Sequence, residues 1–160
     1  MNNHLVKNWN ACVGADDEIY ILGDFAFGNG RDANYILRQL AGKKYLVKGN
    51  HDHLYLEDKD FDLSLFEWVK DFHILRHEHC DFALFHYPIL EWPGFYEGAY
   101  HLYGHVHNRT PQMLHNLTGK AVNVGVDVQN FAPVSIQDIL TQVSLKNPSP
   151  DFGTKKPQEA

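Results

Sequence analysis

Two short apolar runs, "EIYILGD" at 18–24 and "KYLVKGN" at 44–50, flank the amphipathic stretch "RDANYILRQLAG". A strand, a helix and a second strand joined by short connections form a βαβ unit, which commits the chain to a mostly parallel sheet and an α/β fold. Asp32 is placed to cap the helix, and Gly42 falls just past its end. Upstream, "MNNHLVKNWNAC" spaces Met1, Leu5, Val6 and Trp9 along one helical face.

Beyond the βαβ unit, the acidic stretch "DKDFDLSLFEWVKDF" reads as helical, and "FHILRHEH" and "DFALFHYP" as two strands joined by a tight polar turn. "YHLYGHVH" and "AVNVGVDV" follow as strands, and "PVSIQDILTQV" as a helix capped by Ser135. A chain of 160 residues can bury one sizeable core. We therefore expect a single domain over 1–146 and a flexible, Pro- and Lys-rich tail over 147–160.

A net charge of −6 disfavours a general binder of nucleic acid or anionic membranes, which needs a basic surface. It is compatible with an enzyme that handles phosphate through metal ions, because the ions supply positive charge. Cys12 and Cys80 are the only cysteines and form no CxxC spacing, so neither a disulfide framework nor a zinc ribbon is indicated. No apolar run reaches membrane-spanning length and no signal peptide opens the chain; a cytoplasmic location is the expectation.

The polar chemistry sits at strand ends. "YILGD" ends in Asp24, "YLVKGN" in Asn50 and His51, "FALFH" in His86, and "YHLYGHVH" in His105 and His107. Ligands of open α/β sheets bind beyond the carboxyl ends of strands, so segments distant in sequence can meet there. Gly23, Gly49 and Gly104 directly precede three of these groups, where a missing side chain permits a sharp turn. A set of carboxylate, amide oxygen and imidazoles suits Mn, Fe, Zn or Ni rather than calcium. Taken singly, each of these histidines is better read as a packed core residue, and Asn50 as a turn residue; the constellation favours metal. The group "RHEHC" at 76–80 lacks a fourth ligand at zinc spacing and reads as a solvated hairpin turn. Gly28-Asn29-Gly30 reads as a plain turn. His53, His73, His101 and His115 read as structural or exposed.

"GD" at 23–24, "GNHD" at 49–52, "FHYP" at 85–88 and "GHVH" at 104–107 resemble, in order, motifs two to five of the calcineurin-like metallophosphoesterase superfamily. "NVGVDVQNFAPVSIQDI" resembles the closing segment of its small bacterial and phage members, and the likeness covers most of 1–145. The resemblance implies a four-layer α/β/β/α sandwich of two mixed sheets. It implies a divalent-metal centre in which Asp24 bridges two ions, Asn50, His86 and His105 complete one ion's ligands, and His107 holds the other. His51 would protonate the leaving oxygen or stabilise phosphoryl charge, with Asp52 orienting it. The implied reaction is hydrolysis of a phosphomonoester or phosphodiester by metal-bound hydroxide, with nucleic acid only a possible substrate. Arg109 could clamp a phosphate oxygen, or form a surface salt bridge.

One departure bears on activity. The family opens with a strand carrying Asp-x-His, and none lies upstream of Asp24 at this spacing. The expectation is a chain shortened by about one strand and a loop, with one metal site largely complete and the other left with Asp24 and His107. The rival readings are a catalytically weak metal-binding remnant and a zinc hydrolase of carbon esters or amides. The second lacks an HExxH or nucleophile-elbow motif.

Overall fold

A computed structural model describes residues 2–109 and 112–146. The order is α1 (Asn2–Cys12), β1 (Glu18–Ile21), α2 (Gly30–Leu37), β2 (Lys43–Val47), α3 (His53–Leu56), β3 (Trp68–Lys70), β4 (His73–His77), β5 (Cys80–Leu84), β6 (Tyr100–Tyr103), β7 (Ala121–Asn123) and α4 (Ile136–Lys146). Among the described residues no helix is long and apolar enough to cross a membrane. The tail expected over 147–160 lies outside the described residues.

The expected βαβ unit is present: β1 pairs in parallel with β2, and β2 in parallel with β3. The second sheet is mixed, with β4 antiparallel to β5 and then β5, β6 and β7 parallel. The chain is thus α/β with two sheets. Alternation of side chains along each strand divides the core between the two faces of the first sheet. Tyr20, Val47 and Trp68 meet Phe82, Leu84, Leu102 and Val122 of the second sheet, so the main core lies between the sheets. Ile139 and Val143 of α4 join that core. The opposite face, with Ile21, Leu46 and Val69, is covered by Ala33 and Leu37 of α2 and Tyr55 of α3.

The outer face of the second sheet carries Ala83 and Ala121 under Trp92, Phe95 and Ala99. Among the described residues an aromatic loop covers that face, and the fourth, helical layer implied by the resemblance is not seen there. Three local expectations are also corrected. The cap of α2 is Asn29, whose side chain accepts from the Asp32 N–H at 3.0 Å, so Gly28-Asn29-Gly30 opens a helix. The acidic stretch is not a helix but a single 3-10 turn at 63–65 followed by β3. Its short carboxylates bind main-chain donors instead of leaving them to a helix: Asp58 accepts from Gly30 and Asp60, and Asp62 from Ser64. In "AVNVGVDV" only Ala121–Asn123 is strand; the rest turns back on itself. Ser135 caps α4 as expected, accepting from Asp138 N at 3.1 Å.

Candidate metal centre

Asp24, Asn50, His86 and His105 each lie two or three residues past the last residue of β1, β2, β5 and β6 respectively. Since β1 and β2 are parallel, as are β5 and β6, and the sheets pack face to face, the four carboxyl ends deliver these side chains to one place. His86 is at the centre, with 1% of its surface exposed. Its Nε2 lies 3.1 Å from Asn50 Oδ1, 3.1 Å from His105 Nδ1 and 3.4 Å from Asp24 Oδ2. The ligand atoms of Asp24, His86 and His105 all fall within 4.8 Å of one another.

The cluster suits a cation on two grounds. The first is electrostatic. His86 Nδ1 lies 2.7 Å from the Leu22 carbonyl, to which it donates, so the neutral ring turns a bare lone pair at Nε2 toward a carboxylate and an amide oxygen. Lone pairs facing lone pairs repel; a proton or a cation at their centre reconciles them. The second is metric. Two ligand atoms each about 2.1 Å from one ion, at tetrahedral or octahedral angles, lie roughly 3.0–3.4 Å apart. The three separations from His86 Nε2 match that spacing, and the residues fit a divalent transition-metal ion.

Close approach of the strands makes the cluster possible. A Cβ on Gly49 would come within 2.3 Å of Asp24 Oδ1, and one on Gly23 within 2.5 Å of His86 Nδ1. Asp24, His105 and His107 also adopt left-handed backbone, with φ of 53°, 64° and 53°. Such conformations are costly for non-glycine residues and collect at functional sites. Burial pushes the His105 imidazole below its ordinary value, which favours the neutral ring that a metal requires.

The remaining expected residues are placed differently. His51 borders the cluster: its main-chain N–H donates to Asp24 Oδ1 at 2.9 Å, and its ring lies 5.0 Å from the exposed Phe27. Asp52 does not polarise His51 as expected. Its fully buried carboxylate accepts from Asp24 N at 2.9 Å, Phe25 N at 2.8 Å and Gly49 N at 2.7 Å, stapling the ends of β1 and β2 together. Both oxygens are committed to main chain because the residue turns inward under the loops. His107 stands apart, exposed and paired with Asp127 at 3.1 Å. Arg109 is on the surface, where its main-chain N–H closes a turn on Val106. His101, expected to be structural, is buried and bonded to main chain on both ring nitrogens.

Sequence reasoning passed over Tyr87, whose ring lies 4.9 Å from His86 and 4.6 Å from His105. It also passed over Phe27 and Asp127. Tyr87 follows His86 directly and Phe27 follows "GD" within three residues, which is the only local signal they carry.

No protein-family model matches the chain. It is 28% identical over 143 residues to the uncharacterized protein MJ1445 of Methanocaldococcus jannaschii, spanning 88% of this chain and 73% of that protein. It is 27% identical over 150 residues to the gene 66 protein of Mycobacterium phage L5, spanning 77% of this chain and 72% of that one. Its structure is similar to the crystal structure of AQ665 from Aquifex aeolicus, a protein of unknown function. That likeness has a TM-score of 0.66 and 25% identity, and covers 88% of this chain and 83% of the other.

Proposed function

We propose that the chain is a metal-dependent phosphoesterase of the calcineurin-like type, acting in the cytoplasm on a phosphomonoester or phosphodiester. The observation that carries this reading is the convergence of Asp24, Asn50 and His105 on the Nε2 of His86. The two packed sheets and the order of the four motifs support assignment to that superfamily's sandwich.

A divalent ion, when bound, supplies positive charge against the phosphoryl oxygens and acidifies water. Asp24, Asn50, His86 and His105 hold it. Asp24 is fixed for that purpose by the His51 N–H on its Oδ1, which leaves Oδ2 toward His86. His51, half-buried at the rim, donates a proton to the leaving oxygen of the substrate or stabilises charge on the phosphoryl group. The Phe27 ring lies beside that of His51, with centroids 5.0 Å apart.

A second reading is favoured by one observation. Among the described residues a single set of donors assembles, with His107 paired to Asp127 rather than joined to it. A one-ion, weakly active or inactive metal-binding module of the same fold accounts for that. Assays of an aryl phosphate and an aryl phosphodiester with added Mn²⁺ separate the two. The enzyme reading expects hydrolysis that falls about 10²–10⁴-fold in His51→Ala while Mn²⁺ binding is retained. Binding without hydrolysis in the unmodified protein would leave only the module.

A further inference from the structure

The turn after β6 carries an exposed histidine held more firmly than its exposure requires. The His107 imidazole is 68% exposed, yet its Nδ1 lies 3.1 Å from Asp127 Oδ2. Its carbonyl accepts from the Asn123 side-chain amide at 2.7 Å. Asn123, the last residue of β7, uses its other side-chain atom to accept from Gly125 N at 2.9 Å. Its own carbonyl accepts from the Gln129 side chain at 2.8 Å. One asparagine thus ties the His107 turn to the loop that delivers Asp127. His107 meanwhile keeps a left-handed backbone, with φ of 53°.

Stability does not explain this arrangement. An exposed ion pair contributes little to folding, and a left-handed non-glycine residue works against it. Orientation does explain it. A carboxylate on one ring nitrogen fixes the tautomer and so determines which nitrogen carries the lone pair, the usual support for a metal-binding imidazole.

We propose that Asp127 and Asn123 are positioning residues for His107. Asn123 fixes its main chain, and Asp127 holds the proton on Nδ1, so that Nε2 is the lone pair offered to a divalent cation. The cation in this inference rests on the phosphoesterase reading; the tautomer does not.

Nitrogen-15 NMR of the imidazoles in cation-free protein, at a pH where the rings are neutral, tests it directly. The expected result is the Nδ1–H form for His107 in the unmodified protein. Asp127→Ala should shift it toward the Nε2–H form that an unpartnered imidazole favours, and Asp127→Asn, which keeps an acceptor oxygen, should retain Nδ1–H. A His107 ring that is Nε2–H to begin with, or that ignores Asp127→Ala, overturns the proposal. Titration with diamagnetic Zn²⁺ supplies a second readout. The change in the His107 Nε2 chemical shift should need about 10–100-fold more Zn²⁺ in Asp127→Ala, with the Zn²⁺ dependence of the His86 and His105 ring shifts unchanged. If Zn²⁺ shifts none of these ring nitrogens while the tautomer responds as stated, the metal reading fails and the positioning role stands.

Discussion

Asp52 keeps its carboxyl group wholly out of solvent, which is tolerable only because three main-chain N–H groups converge on it. Removing the carboxylate would leave the part-buried amides of Asp24, Phe25 and Gly49 without partners. Asp52→Ala is therefore expected to lower unfolding free energy by about 3 kcal/mol or more, read by denaturant titration. A variant that keeps its stability and loses only turnover would contradict the staple and restore the partnership with His51. The position also illustrates a limit of motif reading. "GNHD" announces an important aspartate, but adjacency in sequence does not reveal that Asp52 turns under the loops while His51 turns outward.

At the level of elements, β6 is locked to its surroundings by His101. Its Nδ1 donates to the Ala83 carbonyl of β5 at 3.0 Å, and its Nε2 accepts from Ile89 N of the aromatic loop at 3.3 Å. Trp92 of that loop lies 5.1 Å from the ring and donates to the Ala99 carbonyl at 3.1 Å. Burial pushes the His101 imidazole below its ordinary 6.5, outweighing the Ala83 and Tyr87 carbonyls, which favour the protonated ring. The folded value is the lower one, so the unfolded chain binds the proton more readily. The contribution is fully present above pH 6.5 and is lost as the pH falls from there through the lower folded value. Denaturation midpoints at pH 7.5 and 5.5 should differ, and the difference should shrink in His101→Gln; an unchanged difference would remove His101 as the cause.

Elements built by local rules were legible: the βαβ unit, the β4–β5 hairpin and α4 with its Ser135 cap. The acidic stretch was not. Its helical spacing competes with carboxylates that reach across to α2, and that competition is decided by tertiary contacts. Arg31 meets Asp60 at 2.9 Å and Arg38 meets Asp62 at 2.7 Å. His86 and His101 are both buried beside apolar strands, and in the sequence only the motif around His86 distinguished it as an expected ligand from the structural His101. What separates them is that His101 finds main-chain partners for both nitrogens, whereas His86 finds one for Nδ1 only.

Over the whole molecule, two sheets packed face to face bring four strand ends to one side, and the donors lie where those ends meet. A chain of net charge −6 gains a local positive centre there only by holding a cation. The sequence indicated the residue types and their order, but not that His107 would stay with Asp127 outside the cluster. Crystals soaked in Mn²⁺ and measured for anomalous scattering test the central claim most directly. The account predicts a peak within bonding distance of Asp24 Oδ2, Asn50 Oδ1, His86 Nε2 and His105 Nδ1, absent in His86→Ala. A peak elsewhere, or none in a protein whose four side chains remain in place, would contradict it.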